Sequence, residues 1–204
     1  MLFVILLFLI DILYSRIENI SVDLRPQDVV VVLKLLASGL NPWTYARLGQ
    51  ELAMSPSNAF TSVVRADAAH LLHAAATHPP KGRKARALLP EPNRSNLKEF
   101  LIHGVKYAFP VERGGPTRGV PTAEGTSPLS HHFPQSFPLP PVWPYAEGSI
   151  RGIAFSPLYR NVPAAALRDT KLHELLALVD AIREGRARER EIAIRELTSR
   201  IDSG

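Results

Sequence analysis

Five polar side chains lie close together in one predicted helix, and all are of types that hydrogen-bond to the edges of DNA bases. They are Ser57, Asn58, Thr61, Ser62 and Arg65. Their spacing favours a common face near the start of that helix. Hydroxyl, amide and guanidinium groups in this position can reach base edges in the major groove. We therefore predict that these five side chains face bases.

A cluster of cations follows this helix, in the stretch KGRKAR. Prolines and a glycine in and around it predict a loop with a basic tip. Such a loop could lie over the DNA backbone, where phosphate contacts provide salt-dependent affinity. The predicted phosphate-facing residues are Lys81, Arg83, Lys84 and Arg86. The alternative is an ordinary solvated surface loop.

A second candidate site is the aromatic and arginine cluster PVWPYAEGSIRG. Trp143 and Tyr145, with Arg151, could receive an aromatic or anionic ligand, or a partner peptide, by stacking and cation–π contact. The alternative is that these aromatic residues pack on the core of their own chain.

Patterns that indicate catalysis or cofactor binding are sparse. The glycines of ERGGPTRGVPTAEG lack the phosphate-loop pattern, and no serine lies in a G-x-S-x-G elbow. His70 and His73 are one helical turn apart, but no carboxylate or cysteine completes a metal site at familiar spacing. Cysteine is absent, which excludes disulfides and thiolate chemistry. We expect no enzyme activity, no cofactor and no metal.

The elements that would position these residues are mainly helices. PQDVVVVLKLLAS predicts a buried helix, although its valines would also suit a strand. A second helix follows Trp43, and Ser55 before Pro56 is a strong start signal for the third, which would reach about Ala76. Phe60, Val63 and Val64 would be its apolar anchors.

The chain divides into four predicted segments with a mainly α fold. Residues 1–22 form a hydrophobic extension whose apolar run ends at Asp11, short of the roughly 20 residues that span a bilayer. Residues 23–109 would form a DNA-binding domain. Residues 110–163 hold eleven of the eighteen prolines and predict an irregular segment with docked aromatic rings. Residues 164–204 resume as helix, with a thin apolar row, Ala187, Ile194, Leu197 and Ile201, that could pack against a second chain.

The order of these elements resembles the DNA-binding domain of bacterial winged helix-turn-helix transcriptional regulators, broadly the MarR-like group. The resemblance rests on TYARLGQELAMSPSNAFTSVVRA, the basic loop and the helix after it, and covers about residues 23–107. It implies a cytoplasmic protein that binds double-stranded DNA as a repressor or autoregulator. The net charge of +5 is compatible with this. The family's dimer arrangement is not carried over, and a homodimer is expected from the apolar row of the C-terminal helix instead. The alternative is a protein-interaction module, such as an antitoxin-like partner protein.

Overall fold

The computed structural model describes residues 23–39, 43–73, 90–133 and 139–203. Helices predominate in these ranges and two small sheets complete them, so the prediction of a mainly α fold is confirmed. No helix within the described ranges is long and apolar enough to cross a membrane. The predicted hydrophobic extension, residues 1–22, lies outside the described residues.

The first helix, α1, spans Pro26–Ser38 and is buried on nearly all sides. Its consecutive valines, Val29 to Val32, are at most 1% exposed, which explains why the sequence pattern also suited a buried strand. Proline at the first helical position loses no hydrogen bond, and the Asp28 side chain accepts from the Arg25 backbone N–H at 2.8 Å. Because these are signals for the start of a helix, the segment forms a helix and not a strand.

Two further helices follow, α2 at Tyr45–Glu51 and α3 at Pro56–Ala68. Helix α3 ends earlier than predicted, and the chain turns into strand β1 at Leu72–His73. This strand pairs antiparallel with β2 at Glu91–Pro92, in the register Leu72 with Pro92. The short ladder therefore brings together the two ends of the segment 74–89.

The next helical stretch has three parts, α4 at Arg94–Glu99, a π-helical turn at Phe100–Gly104, and α5 at Val105–Ala108. The Asn93 side chain caps α4 by accepting from the Asn96 N–H at 3.3 Å. The stretch buries Leu97, Leu101 and Val105 completely.

The proline-rich segment contains regular strands, so the prediction of an irregular segment over residues 110–163 is wrong. Strands β3 at Arg113–Pro121, β4 at Pro141–Pro144 and β5 at Ile150–Phe155 form a small closed sheet. Strand β3 pairs antiparallel with both others, and β4 pairs parallel with β5. Such strands tolerate proline where its missing N–H is not needed for pairing.

The C-terminal part consists of helices α6 at Val162–Ala166, α7 at Thr170–Glu184 and α8 at Ala187–Ser203. Helix α8 buries Ala193, Leu197 and Ile201 completely within its own chain. Of the apolar row predicted to pack against a second chain, Leu197 and Ile201 are thus buried within the chain, Ile194 is partly buried and Ala187 is exposed.

Side chains of the C-terminal part hold the region around α1–α3 by three contacts. Asn161 Nδ2 donates to the carbonyl oxygen of Ala53, and Arg168 Nη1 donates to that of Gln50 at 3.2 Å. The ammonium of Lys34 lies 2.6 Å from Asp169, which caps α7, and 2.7 Å from Glu51. These contacts connect the turn after α2 to the helices that pack on the closed sheet.

Candidate functional site

The connection between α2 and α3 is a tight turn that depends on one glycine. A Cβ atom at Gly49 would lie 2.7 Å from the carbonyl oxygen of Met54, a distance that real Cβ atoms do not tolerate. The Met54 N–H donates to the Gly49 carbonyl at 2.8 Å. Only glycine allows the turn to approach the helix so closely. The result is a compact helix–turn–helix hairpin.

Helix α3 begins where the sequence predicted. The Ser55 hydroxyl accepts from the backbone N–H of Asn58 at 3.1 Å, and Pro56 occupies the first helical turn. The cap satisfies one of the free N–H groups at this end. The first turn is exposed, so its side chains are accessible to a partner.

The buried face of α3 differs from the predicted one. Its core contacts are Ala59, Ser62, Val63 and Ala66, which are at most 2% exposed. By contrast, Phe60 is 50% exposed and Val64 is 49% exposed, so the prediction that both anchor the helix is wrong. The small alanines let α3 pack closely on its neighbours. This rotates the larger apolar side chains outward.

Two of the five predicted base-facing residues are used inside the protein. Ser62 is fully buried, and its hydroxyl oxygen accepts from Gln27 Nε2 at 3.2 Å and from Arg65 Nη2 at 3.3 Å. Arg65 forms a bidentate pair with Asp28, with Nε–Oδ2 at 2.7 Å and Nη2–Oδ1 at 2.6 Å. These contacts leave neither side chain pointing towards solvent for base contacts, which corrects the prediction for both.

The environment of Arg65 fixes its charge and its direction. Asp28 is completely buried, whereas 18% of the Arg65 side chain is exposed. The hydrogen bonds to Asp28 raise the pKa of the guanidinium, and burial lowers it by a smaller amount. The pair joins the start of α1 to the middle of α3. Arg65 therefore orients α3.

Ser57, Asn58 and Thr61 are exposed on the first two turns of α3, as predicted. Phe60 and Val64 lie among them on the same exposed side. An aromatic row extends this surface, because Trp43 contacts Tyr45 edge-on with ring centroids 5.3 Å apart, and Tyr45 contacts Phe60 likewise at 5.2 Å. Partial burial raises the pKa of the Tyr45 phenol. The surface is polar in part and apolar in part.

The predicted phosphate-facing residues, Lys81, Arg83, Lys84 and Arg86, lie outside the described residues. What the structure does describe is the β1–β2 ladder on either side of them. This ladder follows α3 directly.

The predicted pocket of Trp143, Tyr145 and Arg151 is not formed as one site. Trp143 is fully buried, and its indole Nε1 donates to Asp180 Oδ2 at 2.6 Å. Arg151 is exposed on β5, directly opposite Arg118 on β3. Tyr145 is half-buried, and a hydrogen bond with Glu147 raises its phenol pKa. The expectation that Trp143 receives a ligand is wrong, because its ring packs in its own core.

A buried polar network around Asp180 was missed at the level of sequence. Asp180 Oδ2 also accepts from Thr122 Oγ1 at 2.8 Å, and its Oδ1 accepts from Arg183 Nη1 at 2.7 Å. Burial raises the pKa of Asp180, although Arg183, Thr122 and Trp143 oppose the shift. A carboxylate in the middle of the apolar run LALVDAI was the available signal.

Comparison of the chain with protein-family models, with curated proteins and with solved structures finds no match.

Proposed function

We propose that this chain is a sequence-specific DNA-binding transcriptional regulator of the winged helix-turn-helix type, acting as a repressor or autoregulator. The observation that carries the proposal is the first part of α3, where Ser57, Asn58 and Thr61 are exposed side by side. Side chains at the N-terminal end of a recognition helix are those that reach base edges in the major groove.

The order of the elements supports this assignment. Three helices, with a tight turn between the second and third, are followed by a short antiparallel ladder that encloses residues 74–89. In a winged domain, the segment at this position extends over the phosphate backbone. The four cations at positions 81, 83, 84 and 86 would give it phosphate contacts.

The exposed side chains suit a mixed mode of base recognition. The Asn58 amide can form a bidentate pair with adenine, and the hydroxyl of Ser57 can bond to any of several bases. The Thr61 hydroxyl donates to the Ser57 carbonyl at 2.9 Å and can still accept from a base donor. Phe60 and Val64 offer apolar contact with the methyl group of thymine. We therefore expect a site that contains A·T pairs, contacted by α3 held at the angle that Asp28 and Arg65 impose.

The test is a selection of bound DNA from random fragments, followed by binding assays on the selected and scrambled duplexes. We expect Asn58→Ala to cost about 1–3 kcal/mol on the selected site and to relax preference at one base pair. Lys84→Ala should weaken binding to all sequences alike and reduce the salt dependence. Ser199→Ala, which removes an exposed hydroxyl on α8, is the matched control.

Two results would contradict the proposal. One is a selection that enriches no sequence. The other is unchanged affinity in a variant that carries both Asn58→Ala and Thr61→Ala, provided that its thermal unfolding matches the parent chain.

The second candidate function is a protein-interaction module, and the aromatic row favours it. Trp43, Tyr45 and Phe60 form a continuous partly exposed apolar surface, and such surfaces mark protein contacts. Co-purification of a partner that Phe60→Ser abolishes, without retention of the chain on promoter fragments, would support this alternative. Dimerisation remains a prediction of the first candidate, to be measured by light scattering.

A further inference from the structure

A cavity of about 290 Å³ lies where the closed sheet meets the junction between α7 and α8. Its volume is close to the lower end of the range for small-molecule sites, about 300 Å³. Its apolar wall is formed by Ala123, Leu139, Pro141 and Phe155. Besides Asp180, which is already bonded to Thr122, Trp143 and Arg183, the glutamates Glu124, Glu184 and Glu189 provide three carboxylates, and Arg113 and Arg186 also line the cavity.

The three carboxylates are not equally compensated. Glu184 accepts from Arg113 Nε at 2.6 Å and is thereby paired. Glu189 is only 9% exposed, and its Oε2 atom receives no hydrogen bond from any described residue. A buried carboxylate oxygen without a donor is unfavourable and rare, so a missing partner is indicated. Glu189 is one of the residues that line the cavity.

Glu124 increases the negative charge of the same cavity. Burial raises the pKa of its carboxyl, and the nearby Glu189 and Glu184 raise it further, while its backbone hydrogen bond and Arg113 act in the opposite direction. Glu189 and Glu124 are therefore close enough to repel one another. A cationic group between them would relieve both the repulsion and the missing hydrogen bond.

The chemistry of the lining distinguishes between kinds of cation. Within the described residues, no group of three or more His, Cys, Asp or Glu side chains is arranged to hold a metal ion. The lining also has an apolar part, to which the largely buried Phe155 belongs. An occupant with one N–H-rich charged end and a hydrocarbon body fits both surfaces.

We propose that this cavity binds a small organic cation whose primary ammonium or guanidinium group donates to Glu189 and lies beside Glu124. The hydrocarbon part of the ligand packs against Phe155 and Pro141. Arg113, held by Glu184, lines the same cavity and disfavours cations that carry charge at both ends. The site is separate from α3, so it stands independently of DNA binding.

The test is isothermal titration calorimetry of the full chain with butylamine and butylguanidine, and with 1-butanol as the neutral analogue. We expect the two cations to bind with one site and the alcohol not to bind. Glu189→Gln should weaken the binding of both cations at least about tenfold, because a neutral amide loses the charge-assisted hydrogen bond. Glu191→Gln, an exposed position on the same helix, should leave it unchanged.

Several outcomes would overturn the proposal. They are no binding of either cation, equal binding of 1-butanol, or equal losses with the two glutamine variants, which would indicate non-specific attraction. Tighter binding of Mg²⁺ or Ca²⁺ than of the amines at this site would also overturn it. If Glu189→Gln does not fold, Glu124→Gln is held to the same tenfold criterion. None of these results depends on whether the chain binds DNA.

Discussion

The region around α1–α3 and the region around the closed sheet each contain a buried aspartate paired with an arginine, but the two pairs differ in what else they hold. Asp28 and Arg65 come from different helices, 37 residues apart in sequence, and they use both oxygens and two nitrogens on one another. Asp180 and Arg183 are neighbours on α7, at i,i+3 spacing.

The pair on α7 extends its hydrogen bonds outward. Asp180 accepts from Thr122 and Trp143, and Arg183 donates to the backbone carbonyls of Phe109, Pro110 and Ser156. Removing the carboxylate there leaves several buried donors without partners. Removing the Asp28–Arg65 pair disturbs the contact between α1 and α3 and two local hydrogen bonds, those to the Arg25 N–H and the Ser62 hydroxyl. The Asp180–Arg183 network thus stabilises the whole fold, and the Asp28–Arg65 pair sets the orientation of α3.

The largest effect is expected for Asp180→Ala. The change leaves Trp143 Nε1, Thr122 Oγ1 and one arm of Arg183 unpaired in the core, and we expect a loss of about 3–5 kcal/mol in the free energy of unfolding. Urea denaturation followed by tryptophan fluorescence measures it. Asp202→Ala is the control, because that carboxylate is 54% exposed and its pair with Lys98 should contribute less than about 1 kcal/mol. Similar losses in both variants would refute the difference in role.

For Arg65→Met we expect an intermediate loss in the free energy of unfolding, about 2–3 kcal/mol, because the Asp28 carboxylate stays completely buried without its counter-charge. A variant with Asp28→Leu in addition should recover part of this loss, since neither buried charge then lacks a partner. Thermal or urea unfolding of the two variants forms the comparison. If the double variant is less stable than Arg65→Met, loss of the Asp28 hydrogen bond to the Arg25 N–H outweighs relief of the buried charge, which would contradict this expectation.

The smallest effect on the free energy of unfolding is expected for Lys34→Met. Lys34 connects the two regions. Burial raises the pKa values of Asp169 and Glu51, but hydrogen bonds and charge from Lys34 oppose it. Arg47 adds to this effect at Glu51 and the backbone N–H of Leu172 adds to it at Asp169, so both pKa values are lowered. Lys34 itself has a raised pKa, because its two carboxylate partners outweigh its burial. The cluster should contribute about 1 kcal/mol.

The sign of this pH dependence follows from the directions of the shifts. The carboxylate part is present above the ordinary values of 4.5 for Glu51 and 3.8 for Asp169, and is lost as the pH falls through their lower folded values. The lysine part is present below 10.5 and is lost as the pH rises through its higher folded value. Lys34→Met should make the free energy of unfolding less dependent on pH at both the acidic and the basic end of the profile. An unchanged pH profile in this variant would contradict the assignment.

Local signals predicted the parts of the fold that depend on local chemistry. Ser55 and Pro56 identified the start of α3, since a cap and a proline act within one turn of the helix. The choice of the buried face could not be predicted in this way. Phe60 and Val64 are more apolar than Ala59 and Ala66, yet close packing of α3 favours the small residues at the contact.

The closed sheet was missed for a related reason. Its prolines read locally as interruptions, whereas Pro121 on β3 and Pro141 on β4 lie in strands whose pairing is decided by distant partners. The same holds for Arg65, because its exposed or buried state depends on Asp28 on another helix. Helical spacing alone does not predict whether a residue such as Arg65 is exposed, because its partner of opposite charge lies on another helix.

The hydrogen bonds of Asn161 and Arg168 to the α2–α3 connection affect which residues of the hairpin can be substituted. Both side chains bind carbonyl oxygens, those of Ala53 and Gln50, and every amino acid supplies the same oxygen. The side chain at position 50 can therefore be exchanged without loss of the attachment, while Asn161 and Arg168 cannot. Position 53 is more restricted, because Ala53 has a left-handed backbone with φ 52°. The surface residues of the hairpin can thus vary, while Asn161 and Arg168, in another part of the chain, keep the hairpin attached.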